Sequence, residues 1–245
     1  MYDFFVGVPN RLELFGTVHL ILMGVFAALC VLLVVFRKKL RSFGHFGAVQ
    51  KIMAAVLLLN MLVHYSTRII YGIWEFGVDL PLHICFVTNF FMMYILFTGN
   101  KHNLFSVVYF FTLIGPLPAI IFPDSDYSGE SFIFWQYIIS HHIMLLSSLY
   151  CIVVSEYKTT LKSAGLAFLI GNGYVGLMAV FNGIFGTNYV MIGELPDVLY
   201  RTFPFLNALP AVVWLEMVGI VALALGYLFY LALRRIDTKK KRKTS

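Results

Sequence analysis

The chain has 245 residues, of which 60% are hydrophobic and only 12% charged, and its formal net charge is +6. A soluble domain carries roughly twice that share of charge, so the composition excludes a water-soluble globule and describes one polytopic membrane domain. The positive balance does not describe a nucleic-acid binder either, because the basic residues sit in short clusters beside apolar runs, where they act as topology signals.

A span needs about 20 mostly apolar residues. Seven candidates follow in order, at about 14–36, 50–72, 81–98, 104–122, 132–154, 164–185 and 211–233. The expected fold class is therefore all-α, a single seven-transmembrane-helix bundle with a basic tail at 234–245. The first run lacks a basic leader and a small-residue cleavage site, so it reads as a retained span. Spans three and four are joined by Gly99–Asn103 alone, and Pro81 suits the first turn of span three. Span six, with Gly171, Gly173, Gly176 and Gly183, has the composition of a closely packed helix. The connection at about 186–210 is too apolar for a free loop and reads either as a lid on the membrane surface or as a loop packed on the bundle. Cys30, Cys85 and Cys151 all lie in apolar segments with no CxxC, so no disulfide is expected.

Lys and Arg set the orientation. Arg37, Lys38, Lys39, Arg41, Lys51, Lys101, Lys158, Lys162 and the seven of the C-terminal tail put 15 of the 18 on one side. Arg11 and Arg201 fall on the other, Arg68 lies within span two, and the carboxylates Asp3, Glu13, Glu75, Asp79, Asp124, Asp126, Glu130, Glu194 and Asp197 share the side of Arg11. The positive-inside rule then places the N-terminus outside and the C-terminus in the cytoplasm.

With that topology each polar residue has a height. Asn60, His64 and Arg68 recur at every fourth position and share one stripe of span two. His83 and Cys85 open span three with Asn89 one turn deeper, His141 and His142 sit about two turns into span five, and Glu216 about two turns into span seven. Together with His19 and Asn182, these residues come from six spans and all fall in the outer half, whereas the inner half offers only Cys30, Cys151 and some hydroxyls. Polar groups at membrane depth are costly and point to function.

Three chemistries fit this set. Cys85 is a competent nucleophile if a histidine accepts its proton and Arg68 supplies a nearby cation; His141 and His142 are the candidate bases, about 100° apart on their helix. Asn89 or His83 would then hydrogen-bond a developing oxyanion, with His64, Arg68, Glu216 and Asn182 as further substrate-binding residues. A zinc-dependent lipid hydrolase is a second option, since His64, His83, Cys85, His141, His142 and Glu216 supply enough ligand types, although no HExxH spacing occurs. A transporter with a polar relay is the third, and it requires a polar path through both halves.

The run Leu80-Pro81-Leu82-His83-Ile84-Cys85, followed by Phe86-Val87-Thr88-Asn89, resembles the LPLHxC signature of the YwaF-like integral membrane proteins. That family groups with the transmembrane protein 164 acyltransferase of ether-phospholipid synthesis, and the likeness extends to the span count and to Ser140-His141-His142. The resemblance implies an intramembrane acyltransferase that moves a fatty acyl chain between phospholipids, with Cys85 as the acyl-accepting nucleophile and His142 or His141 as its base. More distantly, the layout is similar to the androgen-induced hydrolases of fatty-acid esters, which use a Thr–His pair; Thr88 lies one turn from Cys85. The expected partners are membrane phospholipid and lysophospholipid, with no nucleic acid, soluble protein partner, metal or cofactor, and no nucleotide motif is present. The expected location is a bacterial plasma membrane, with the site near its extracytoplasmic face.

Overall fold

The computed structural model describes residues 4–5, 12–99, 101–123 and 129–241. Asp3, Arg11, Asn100, Asp124, Asp126, Arg242 and Lys243, all used in the sequence reading, lie outside them. The described elements are helices: α1 (Thr17–Ser42), α2 (Phe46–Ile70), α3 (Phe76–Asp79), α4 (Ile84–Thr98), α5 (His102–Ile114), α6 (Pro116–Ile121), α7 (Phe132–Val153), α8 (Leu161–Phe185), α9 (Asp197–Thr202) and α10 (Ala211–Lys241). Among the described residues, α1, α2, α5 with α6, α7, α8 and α10 are long and apolar enough to cross a membrane. The protein is an all-helical, multi-pass membrane protein.

One helix sits in the middle. α7 packs against α1, α2, α4, α5 and α6, while α8 and α10 join through α5. The apolar window of α7 is 72% buried, against 6% for α1 and 11% for α10. The sequence explains the difference. α7 carries Gln136, Ser140, His141, Ser147 and Ser148, all buried, and hydrocarbon cannot satisfy such groups. α1 presents Val18, Ile21, Val25, Val31 and Val35 outward, as a lipid-facing helix does.

Interhelical hydrogen bonds fix the neighbours, each contributing about 0.6–2 kcal/mol. Gln136 Nε2 donates to Asn60 Oδ1 at 2.8 Å and Asn60 Nδ2 returns to the Gln136 carbonyl at 3.2 Å, which ties α2 to α7. Thr112 Oγ1 donates to Ser148 Oγ at 3.1 Å, joining α5 to α7, and Tyr109 donates to the Gly226 carbonyl at 2.8 Å, joining α5 to α10. A Cβ at Gly226 would collide with Leu113, so the α5–α10 approach depends on its absence. At the other end of α7, Arg41 donates to the Val153 carbonyl and pairs with Glu156 at 3.2 Å, closing the helix C-terminus with a cation.

α4 departs from the expectation. It starts at Ile84, three residues after Pro81, and has 15 residues. That is about 22 Å of helix, short of a hydrocarbon core of about 30 Å. The missing length is a bent entry made of α3 and residues 80–83. Leu80 before the proline is extended (φ −62°, ψ 141°). Two distant phenols occupy the backbone groups that a longer helix would use. Tyr189 accepts from the Leu80 N–H at 3.1 Å and donates to the Phe76 carbonyl, and Tyr174 donates to the Leu82 carbonyl at 2.7 Å. Non-helical backbone at such depth persists only where protein satisfies it.

The connection after α8 packs on the start of α10. Leu195, Leu206 and Ala211 form a small core with Leu199, Tyr200, Phe203 and Trp214, and Trp214 donates to the Leu206 carbonyl at 2.9 Å.

Candidate active site

The bent entry delivers Cys85 to the first turn of α4. His83 is the N-cap, in extended geometry, and its side chain caps nothing. Its carbonyl takes the Phe86 and Val87 amides at 2.9 and 3.2 Å. The two earlier amides, of Ile84 and Cys85, therefore precede the helical ladder and stay available, as the first donors of any helix do. A helix N-terminus favours negative charge, which is the form a thiol needs to attack.

The sulfur packs against Gly115, the residue between α5 and α6. A Cβ there would stand 3.2 Å from Cys85 Sγ, 3.4 Å from the Cys85 nitrogen and 2.8 Å from Ile84 Cγ2. Only glycine lets α4 begin so close to this junction.

From the same junction α6 runs antiparallel to α7. Tyr137 donates to the Ala119 carbonyl at 2.8 Å, and the Ala119 amide bonds the Gly115 carbonyl one turn back. His141 is one turn beyond Tyr137, buried, with its ring 4.2 Å from the Tyr137 ring. The register thus brings His141 to the level of Gly115, the residue that the Cys85 thiol touches. Nδ1 of His141 lies 2.7 Å from the Tyr137 carbonyl, which can only accept, so Nδ1 carries the proton and Nε2 keeps its lone pair. His142 turns the other way. Its Nδ1 bonds the Ile138 carbonyl at 2.6 Å, and its ring stands edge-on to Phe26 of α1 at 4.9 Å. The two adjacent histidines serve different helices.

Asn89 shares the Cys85 face one turn deeper. It is buried, and its Oδ1 has no hydrogen-bond partner. Such an orphan marks a place where a ligand or water completes the structure.

The remaining candidates hold the scaffold. Arg68 is bound by Asp79, Nε to Oδ1 at 2.5 Å, and by the Ile73 carbonyl at 3.0 Å, so its charge is neutralised there instead of facing the thiol. Asp79 also takes the Glu75 amide at 2.7 Å, which closes α3. His64 lies near Phe86, with the ring centroids 5.8 Å apart and the planes tilted. His83 accepts weakly from Val190 N–H at 3.4 Å and packs on Tyr189 at 5.1 Å, away from the helix it caps. Asn182 is fully committed, accepting from Thr187 and the Tyr189 amide and donating to the Tyr189 carbonyl. Glu216 accepts from Asn172 of α8 at 3.3 Å. His19 bridges the Phe15 amide and the Ile120 carbonyl. Among the described residues no three His, Cys, Asp or Glu side chains gather as metal ligands.

The sequence reading missed Gly115, Tyr137, Tyr174 and Tyr189. Only Gly115-Pro116, a helix break inside an apolar run, carried a local signal. Burial raises the Tyr189 phenol above its usual range, so it remains the neutral donor that the α3 carbonyl requires.

The family model described as the TMEM164 family matches residues 14–230, a stretch that holds α1, the Cys85 turn, the histidine pair and most of α10. The chain belongs to the TMEM164 family. No curated protein and no solved structure matches it. The family match spans every residue of the candidate site, from His19 to Glu216.

Proposed function

We propose that this TMEM164-family member is an intramembrane phospholipid acyltransferase that carries a fatty acyl chain on Cys85. The reading is supported by a sulfur that packs on Gly115 at an uncapped helix N-terminus, and by an imidazole at about the same level of the neighbouring helix whose Nδ1 is held by the Tyr137 carbonyl; among the described residues no hydrogen bond joins Cys85 Sγ to either histidine.

In the first half-reaction His141 Nε2 takes the thiol proton and Cys85 Sγ attacks the ester carbonyl of a membrane phospholipid. The oxyanion forms beside the Ile84 and Cys85 amides, with the Asn89 amide group one turn below. The C–O bond breaks, the lysophospholipid leaves with the proton from His141, and a thioester remains. In the second half the hydroxyl of another lysophospholipid gives its proton to His141, attacks the thioester and leaves with the acyl chain, restoring the thiol. Donor and acceptor both come from the membrane, so the reaction draws on no soluble acyl carrier. The Lys and Arg distribution supports an outside N-terminus, which sets the Cys85 turn near the extracytoplasmic face.

The test is incubation of the purified protein with labelled phospholipid, followed by intact mass. An acyl adduct is expected on the native chain and none on Cys85→Ala or on a chain treated with hydroxylamine. Unimpaired lipid turnover by Cys85→Ala would reject the mechanism, and turnover that yields free fatty acid but never acylated acceptor would make the protein a hydrolase.

A further inference from the structure

The far end of α4 borders a cavity, some 12 residues and so about 18 Å along the axis from Cys85. Its volume is about 370 Å³, within the range of small-ligand sites and far too small for a diacyl lipid. Gln50 and Lys51 of α2, Leu96 and Phe97 of α4, His102 of α5 and Ser155 after α7 form its walls.

The lining is one-sided in charge. Lys51 is exposed and has no carboxylate partner among the described residues. No carboxylate lines the cavity, and the neighbouring Glu156 is turned to Arg41 at 3.2 Å. His102 presents its ring beside Tyr157, centroids 4.1 Å apart. Ser155 Oγ accepts from Gln50 Nε2 at 3.1 Å, which leaves its own O–H free to donate. α2 and α5 both begin at this wall with no side-chain cap, and their first amides add to the positive field. Lys51, His102 and Ser155 thus share the lining of a small cavity with the apolar Leu96 and Phe97. A compact, multi-oxygen anion attached to an organic remainder meets those demands, and a lysine serves such a group as a point charge.

We infer that this cavity binds the phosphate group of a small phosphoester, presented either by a phospholipid headgroup or by a soluble compound. It is independent of the acyl-transfer reading, since no residue is shared.

The test reads the modification of Lys51 by an amine-reactive reagent, using peptide mass spectrometry on the full chain, with exposed Lys158 and Lys162 as internal references. Two arms separate the sources, each against the protein in a phosphate-free detergent: detergent-solubilised protein with glycerol 3-phosphate or inorganic phosphate, and nanodiscs of phosphatidylglycerol. Protection of Lys51 by roughly tenfold is expected when ligand stands about tenfold above its Kd. Protection in the first arm assigns a soluble phosphoester, and protection in the second alone assigns the headgroup. His102→Ala should remove the protection, whereas Cys85→Ala should retain it. Equal labelling of Lys51 under all conditions overturns the site. So does protection that Lys158 and Lys162 share, which is general screening, or protection that survives in His102→Ala.

Discussion

Cys85 and Cys151 sit at opposite ends of the same core and are chemically the same side chain in different backbones. Cys151 lies in the last turn of α7, fully buried, with Gln50 Nε2 donating to its sulfur at 3.7 Å. Its amide lies inside a continuous helix, and no histidine shares its face. Cys85 is only partly buried and opens α4, so it has unladdered amides, a glycine against its sulfur and Asn89 one turn below. A buried thiol is ordinarily an inert packing group. The difference lies in what the backbone leaves unpaired, and the bent entry at residues 80–83 is what leaves it so. If that comparison is right, variants around Cys85 should remove the chemistry and variants around Cys151 should not.

The largest effect after loss of the sulfur itself is expected at the base. His141→Ala should lower the rate of adduct formation by about 10²–10⁴-fold, the usual contribution of a positioned general base. His142→Ala should cost activity only a few fold, because its ring is engaged with α1. Single-turnover measurement of the two variants separates them, and the reverse order would move the base to the neighbouring residue.

Gly115→Ala comes next. The new methyl would stand 2.8 Å from Ile84 Cγ2 and 3.2 Å from Cys85 Sγ, so the first turn of α4 must shift. A misplacement on the order of 1 Å costs a reaction about 10²-fold. The strain should lower stability by about 1–3 kcal/mol. Acylation rate and thermal midpoint, measured together, distinguish a displaced nucleophile from a protein that has lost its fold: the rate should fall much further than the stability does.

How much of this was legible beforehand follows the range of the interactions. Hydropathy located the apolar helices, and polar residues within them pointed to Cys85, Asn89 and the His141–His142 pair, since each signal is confined to one segment. The start of α4 was misplaced because Pro81 looks like a helical first residue, while the groups that prevent it, Tyr174 and Tyr189, lie 92 and 109 residues away from their partners. Arg68 looked available for the thiolate because Asp79 had been placed with the outer loop; a short helix, α3, folds it back as a buried partner. The choice between two adjacent histidines depends on which helix each faces, and adjacent residues carry no record of that in sequence.

The smallest expected effect is the most informative control. Cys151→Ala removes a sulfur that is as buried as any in the chain, together with the weak Gln50 contact, while Gln50 retains Ser155 at 3.1 Å. Loss of packing should cost about 1 kcal/mol, a typical value for one substitution. The acyl adduct should form at a rate within about twofold of the native chain, because sites this far apart act independently. The two cysteines are separated along the bundle by most of the length of α4, so an indirect route through the core would have to cross Met92, Ile95 and Leu96, all buried and close-packed. A large fall in adduct formation with an unchanged thermal midpoint would mean that acyl transfer draws on both ends of the bundle, and the distinction between the free turn and the sealed one would no longer explain which thiol reacts.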